Sequence, residues 1–325
     1  MMRAAPFRFY AARSIAEAAA VLAEEPGAML LAGGTDIIPK LKRRQQTPEL
    51  IVSLKRVNEL RGIERNGELT IGAMTTLRDI ASDPRVRDHH ALFRAASQIA
   101  TPLIRNSATI GGNLALDTRC NYYDQSEEWR GAIGGCKKVP LRETVCWVAP
   151  SSPRCWAVSS SDAAPALIAL GARVTLVSKN GERDLALEDL YRDDGIAPLA
   201  KQRDEILTAI RIEKRWHSTY WKLRRRGSID FPVLGVAAAI RFSKDDIVEE
   251  ARIVLGAVAS RPLLLPESPS LVGRRLTDDA IETFAERAAV HAKPLDNTDF
   301  SMNWRKSVAR TYLVRALREI SGGNR

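Results

Sequence analysis

The chain has 325 residues, 45% apolar and 27% charged, with a formal charge of +10 at neutral pH. That length holds two or three structural units with a sizeable core, which excludes a disulfide-dependent miniprotein, and no run of about 18 apolar residues offers a transmembrane span. The positive excess is scattered; its densest run, Lys222 to Arg226 (KLRRR), is short, which speaks against a nucleic-acid partner and for a solvated surface or one matched to acidic partners or phosphates.

In chain order, Ser14-Ile-Ala-Glu17 forms a capping box ahead of an alanine-rich helix to about Glu25. Pro26-Gly27 stops that helix, and Ala28 to Ala32 (AMLLA) reads as a buried strand. A strand at 69–73 precedes helices near 76–82 and 88–100. A helix at 162–170, a strand at 173–177 and an alternating strand at 206–212 come next, then a basic connector at 213–226. Strands at 233–242 and 252–258 and helices at 278–291 and 302–320 complete an α+β order without internal repeats. The expected units are 1–57, 58–213 and 214–325.

Four cysteines, Cys120, Cys136, Cys146 and Cys155, are the only thiols, and all lie within one 36-residue stretch. Two disulfides would need an oxidising compartment, but the start of the chain, MMRAAPFRFYAARS, lacks the apolar run of a signal peptide. A structural zinc site takes four thiolates, usually at short paired spacings such as C-x2-C, whereas the gaps here are 15, 9 and 8 residues. An iron–sulfur cubane also takes four thiolates, at widely variable spacing. Trp129, Trp147 and Trp156, half of the six tryptophans, share the stretch with Tyr122 and Tyr123. Bulky rings exclude water from a cluster, although any small core would use them too. Reduced thiols and the missing targeting signal point to the cytoplasm.

Two adjacent-glycine motifs stand out, Ala32-Gly33-Gly34-Thr35-Asp36 after a strand, and Thr109-Ile110-Gly111-Gly112-Asn113. Paired glycines let a backbone approach a phosphate, with successive N–H groups as donors. Neither motif matches the G-x-G-x-x-G or Walker patterns, and either alone is an ordinary turn. Two such loops suit a pyrophosphate held from both sides.

The segments LLAGGTDIIPKLK (30–42), TIGGNLALD (109–117), SDAAPAL (161–167) and DEILTAI (204–210) resemble the FAD-binding subunit of molybdenum hydroxylases, a family that includes the medium subunit of carbon monoxide dehydrogenase and the flavin domain of xanthine dehydrogenase. The resemblance spans essentially the whole chain. It implies a vanillyl-alcohol-oxidase-type (PCMH-like) FAD-binding fold in two subdomains, followed by an α+β domain of the carbon monoxide dehydrogenase flavoprotein type. Most members lack the cysteines. The stretch at about 117–157, and DTRCNYYDQSEEWR (117–130) above all, is similar to an insertion in the β subunit of 4-hydroxybenzoyl-CoA reductases that holds a [4Fe-4S] cluster.

The resemblance implies FAD diphosphate binding by Met29, Leu30, Leu31, Ala32, Gly33, Gly34, Thr35 and Asp36, together with Thr109, Ile110, Gly111, Gly112 and Asn113. It sets Thr101 and Lys222 near the flavin, Asp162 at the ribose or adenosine part, and Leu207 against adenine or flavin. From the residues alone, Asp162 caps a helix, Leu207 is core and Lys222 is one charge of a solvated run. No Ser-His-Asp arrangement appears and His89, His90, His217 and His291 lack metal-ligand spacing, so no catalytic residue is assigned.

An electron-transfer subunit follows, in which cofactors carry the chemistry. Its implied partners are a molybdopterin-binding large subunit, a small subunit with two [2Fe-2S] clusters, and a ferredoxin-type donor, in a dimer of heterotrimers, with no nucleic acid and no membrane. The implied reaction is the reductive dehydroxylation of 4-hydroxybenzoyl-CoA, with electrons entering at the [4Fe-4S] cluster. Two alternatives remain: the flavin subunit of an oxidative hydroxylase passing electrons to NAD or another acceptor, and a basic module with a zinc-stabilised loop.

Overall fold

The computed structural model describes residues 3–322. Its three sheets follow one another along the chain. The first is parallel, with Leu50–Ser53 between Arg8–Ala11 and Ala28–Leu31. The helix Ile15–Glu24 makes the first crossover. Ser14 caps it by accepting from the Glu17 N–H at 3.1 Å, a bond worth about 1 kcal/mol. Its face of Ala18, Ala19 and Leu22 is buried in a core with Val52 and Leu54. The short helix Ile37–Lys42 makes the second crossover, so the first glycine motif lies between a strand end and a helix start.

The second sheet is antiparallel, in the order Ile63–Asn66, Glu68–Gly72, Ile206–Ile212, Arg173–Ser178, Gly181–Ala186. The third is antiparallel too, in the order Leu263–Leu264, Val248–Gly256, Leu234–Phe242, His217–Leu223. Seven of the nine residues of Leu234–Phe242 are buried because helices cover both faces: Met302–Gly322 on one and Ala163–Ala169 on the other. Every residue of Ala163–Ala169 is buried, and the helix touches His90–Gln98 as well, so it knits the second and third sheets into one core.

Residues 217–223 are a strand and not part of a basic connector; they pair in register with 234–240. The flanking lysines and arginines mask the Ser-Thr-Tyr-Trp run, whose β-branched and aromatic side chains favour a pleated, buried surface. The strand Val248–Gly256 also starts four residues before the expected 252. No helix among the described residues is long and apolar enough to cross a membrane.

The cysteine stretch leaves and rejoins the body at one point. Arg119 and Val158 exchange backbone hydrogen bonds of 2.9 and 2.7 Å, and Cys120 and Cys155 lie just inside that bridge. Within the excursion only Glu127–Ala132 is helical. Buried Arg130 ties it to the first unit through the carbonyls of Arg43 (3.2 Å) and Arg44 (2.9 Å). On the other side the Asn121 N–H donates to Asn297 O at 2.8 Å, and Asn297 Nδ2 donates to Trp156 O at 2.6 Å.

Candidate functional site

The two glycine motifs touch each other and together line a cavity of about 590 Å³, within the range of cofactor sites. The first motif enters where the strand Ala28–Leu31 ends, and the second where Thr109 caps the helix Ile110–Leu114. Of the expected residues, Met29, Leu30, Ala32, Gly33, Gly34, Thr35 and Asp36 line the cavity, with Thr109, Gly111, Gly112, Asn113, Asp162 and Leu207.

The loops differ in what they can donate. The N–H groups of Gly33, Gly34, Thr35 and Asp36 find no acceptor among the described residues. In the second loop the N–H groups are spent internally: Ile110 on Thr75 O (3.0 Å), Gly111 on Ala73 O (2.8 Å), Gly112 on Thr109 Oγ1 (3.1 Å), and Asn113 on Thr109 O (2.9 Å). The expectation of two equivalent N–H cradles is therefore corrected. The first loop supplies the free donors for an anion, and the second supplies a wall.

The glycines also have different reasons to be glycine. A Cβ at Gly33 would lie 1.9 Å from Ser107 O, so this residue permits the two loops to touch. Gly34 has φ +78°, the left-handed region that side chains disfavour. A Cβ at Gly112 would meet only Thr109 Oγ1 at 3.0 Å and Ala32 Cβ at 3.8 Å, and otherwise points to the cavity side.

Four expected residues do not line the cavity. Leu31 lies beneath the first loop, and Ile110 is wholly buried in the core. Thr101 caps Pro102–Arg105, its Oγ1 accepting from the Ile104 N–H at 3.2 Å, while its neighbours Ile99, Ala100 and Ile104 do line the cavity. Lys222 has a side chain of 0% exposure, and its ammonium donates to Asp162 Oδ2 (3.0 Å), Asp230 O (3.1 Å) and Gln98 O (3.3 Å). That uses all three of its hydrogens, so it is neither a solvated charge nor a free donor.

Asp162 starts the helix Ala163–Ala169 but makes no capping hydrogen bond. Its other oxygen accepts from Tyr220 OH at 2.7 Å. Burial pushes its carboxyl above the usual range, with Lys222 and Tyr220 opposing. Asn113 Oδ1 accepts from Ser161 Oγ (2.7 Å) and from the Ala163 N–H (3.2 Å), which fixes the 160–163 turn against the second loop.

Several cavity residues escaped the sequence reading. Buried Ser160 carries an Oγ with no partner, a polar atom left for a ligand. Its signal was the run Ser159 to Ser161 before Asp162. Lys40 and Asp117 line the cavity and pair at 2.8 Å. Arg119 pairs with Asp36 at 3.2 Å and stacks on Phe231 at 3.8 Å. At the mouth, Ala100 (φ 49°) and Ile229 (φ 52°) are joined by a 3.2 Å backbone hydrogen bond, and for the β-branched Ile229 this conformation is strained.

All four cysteines are buried and free, which sets the disulfide reading aside. Cys120 and Cys155 pack with Tyr123 and Ala157, with Tyr122, Val139 and Val148 around them. The Tyr122 ring lies 6.3 Å from both Trp129 and Trp147. Burial pushes the Cys120 thiol up to about 12 and Cys155 up to about 11, and Cys136 and Cys146 act on both in the same direction. No three His, Cys, Asp or Glu side chains among the described residues converge tightly enough for one metal ion. Such an arrangement does not match a four-thiolate zinc site, with its Zn–S bonds of about 2.3 Å.

Residues 5–213 match the family described as the FAD binding domain in molybdopterin dehydrogenase, and residues 218–320 the CO dehydrogenase flavoprotein C-terminal domain. The aldehyde oxidoreductase FAD-binding subunit PaoB of Escherichia coli is 32% identical over 271 residues, covering 79% of this chain and 82% of that protein. The nicotinate dehydrogenase FAD-subunit of Eubacterium barkeri is 27% identical over 285 residues, covering 85% and 83%. Among solved structures, carbon monoxide dehydrogenase from Hydrogenophaga pseudoflava superimposes with a TM-score of 0.77 at 27% identity over 98% of each chain.

Proposed function

The chain belongs to the FAD-binding subunits of the molybdenum hydroxylase and xanthine dehydrogenase family, which are oxidoreductase subunits, and from that premise we propose that it carries a [4Fe-4S] cluster beside its FAD and serves a 4-hydroxybenzoyl-CoA reductase. The observation that carries this reading is the nest of four buried, free thiols closed off by the Arg119–Val158 bridge. FAD supplies exchange of one or two electrons, and a thiolate cluster exchange of one.

The chain's residues divide the work. The open N–H groups of Gly33 to Asp36 receive the diphosphate, with Gly112 of the adjoining loop beside them. Ser160 Oγ donates to a sugar or phosphate oxygen. Met29, Leu30 and Leu207 give apolar surface to the rings. Lys222 acts through Asp162, holding that carboxylate ionised and in place at the cavity edge, and Thr101 sets the turn carrying Ile104. Units 1–57 and 58–213 enclose the cofactor, and 214–325 closes it with Ile229 to Phe231. Cys120, Cys136, Cys146 and Cys155 hold the cluster.

This assignment places the chain in the cytoplasm beside a molybdopterin-binding large subunit and a small subunit with two [2Fe-2S] clusters, in a dimer of heterotrimers. A ferredoxin-type protein is the donor, because a one-electron centre suits a one-electron partner. A second reading, the flavin subunit of an oxidative hydroxylase, is supported by relatives named nicotinate dehydrogenase and aldehyde oxidoreductase.

Cys120→Ser in the whole complex tests the reductase reading. Under the reductase reading, ferredoxin-driven reduction of 4-hydroxybenzoyl-CoA is lost while reduction by an artificial donor at molybdenum survives. Wild-type turnover with ferredoxin in that variant would make the nest a structural element.

A further inference from the structure

Between the cavity and the thiols lies a buried charged network that neither cofactor site explains by itself. Asp117 lines the cavity, and three donors grip its carboxylate: Lys40 Nζ at 2.8 Å, Tyr123 OH at 2.9 Å, and Lys138 Nζ. Lys138 also donates to Thr118 Oγ1 at 2.6 Å and to Gly195 O at 2.7 Å. Both ammonium groups sit over the Tyr123 ring, at 5.0 and 4.6 Å from its centroid, and that ring packs against Cys120 and Cys155.

Gly195 joins this network to a sulfur. Its carbonyl accepts from Lys138 and Thr118, its N–H donates to Cys155 O at 2.9 Å, and a Cβ on it would lie 2.8 Å from Cys155 Sγ. Two buried ammonium groups share one carboxylate. Adding Asp36 and Asp124, which Arg119 and Arg43 hold, leaves the positive excess in place. A buried excess charge is costly unless an opposite charge is bound nearby, and nothing in the network supplies one.

We infer that the Lys40–Asp117–Lys138 network links the flavin cavity electrostatically to the cysteine nest, with Lys138 as the counter-charge that raises the reduction potential of the anionic centre held by the thiolates. This rests on the cluster assignment made under Proposed function. A fixed positive charge in a region of low dielectric favours the more negative, reduced form of such a centre. Lys138 is thus a positioning and tuning residue with no contact to substrate. Because Asp117 and Lys40 also border the cavity, a charge gained on either side is felt on the other.

The test compares wild type, Lys138→Gln, Lys138→Arg and Asp117→Asn in the anaerobically purified complex, by EPR-monitored redox titration with iron, sulfide and FAD contents measured in parallel. Removing the cation lowers the cluster potential in Lys138→Gln by at least a tenfold change in the reduction equilibrium, about 59 mV for one electron. Removing the anion in Asp117→Asn raises it, and Lys138→Arg stays near wild type. A Lys138→Gln protein that keeps FAD but takes up no cluster, while Lys138→Arg is fully loaded, supports the same counter-charge. Unmoved potentials, shifts of the same sign in Lys138→Gln and Asp117→Asn, or a Lys138→Arg that behaves like Lys138→Gln would each overturn the inference. An absent iron–sulfur signal in wild type would instead remove the cluster assignment on which it rests.

Discussion

Lys222 and Asp162, 60 residues apart in sequence, form an ion pair of 3.0 Å with side-chain exposures of 0% and 3%. The pair joins the strand His217–Leu223 to the turn before Ala163–Ala169, at the point where the cavity meets the third sheet. Its geometry explains why a lysine occupies a buried strand position: every hydrogen of its ammonium has an acceptor.

Removing one partner leaves the other charged and buried, at a cost of about 3–5 kcal/mol. Lys222→Met is therefore expected to lower the urea midpoint sharply. Lys222→Met combined with Asp162→Asn should recover part of the loss, since no uncompensated charge remains. Equal destabilisation by the single and double variants would show that the pair contributes through packing alone.

The glycines should separate fold from binding. Gly33→Val drives a side chain into Ser107 O and should abolish soluble folded protein. Gly112→Val meets little besides Thr109 Oγ1 and should fold while losing FAD. Gly34→Val places a β-branched residue at positive φ, at a cost of about 1–3 kcal/mol, and should lose FAD because the free N–H groups around it are displaced. Flavin absorbance per chain and melting temperature measure the two effects. Full FAD content in Gly112→Val would show that this wall does not contact the cofactor.

His89 gives a pH signature independent of any cofactor. Burial, with help from Arg65 and Arg215, depresses its imidazole to about 4 from the usual 6.5. Between these values the unfolded chain binds a proton that the folded chain refuses, so stability is complete above about pH 6.5 and falls toward pH 4. The full difference is about 3 kcal/mol at 1.36 kcal/mol per unit. His89→Leu should flatten the stability profile between pH 4 and 6.5. An unchanged slope would assign the acid sensitivity to other groups.

Much of this site is legible in the sequence because its signals are local. A strand followed by Gly33-Gly34, and Thr109 followed three residues later by Gly112, describe turns whose geometry depends on neighbouring residues. The environments of Lys222 and Lys138 are not local: their partners Asp162 and Gly195 are 60 and 57 residues away. Both lysines look like ordinary surface charge until tertiary structure buries them. Likewise the gaps of 15, 9 and 8 residues between cysteines carry no sign of convergence until Arg119 pairs with Val158. The unequal donor capacity of the two glycine loops arises in part from Ala73 and Thr75, far away in sequence, which accept from Gly111 and Ile110, while Thr109 takes the N–H groups of Gly112 and Asn113 locally.

Under the proposed function the four cysteines hold iron and sulfide beside an FAD-filled cavity. The most direct measurement is metal, acid-labile sulfide and flavin analysis of the anaerobically purified protein, wild type against Cys136→Ser and Cys146→Ser. The account predicts about four iron and four sulfide with one FAD per wild-type chain, and variants that lose the cluster signal while keeping the flavin. One zinc per chain without acid-labile sulfide would contradict it.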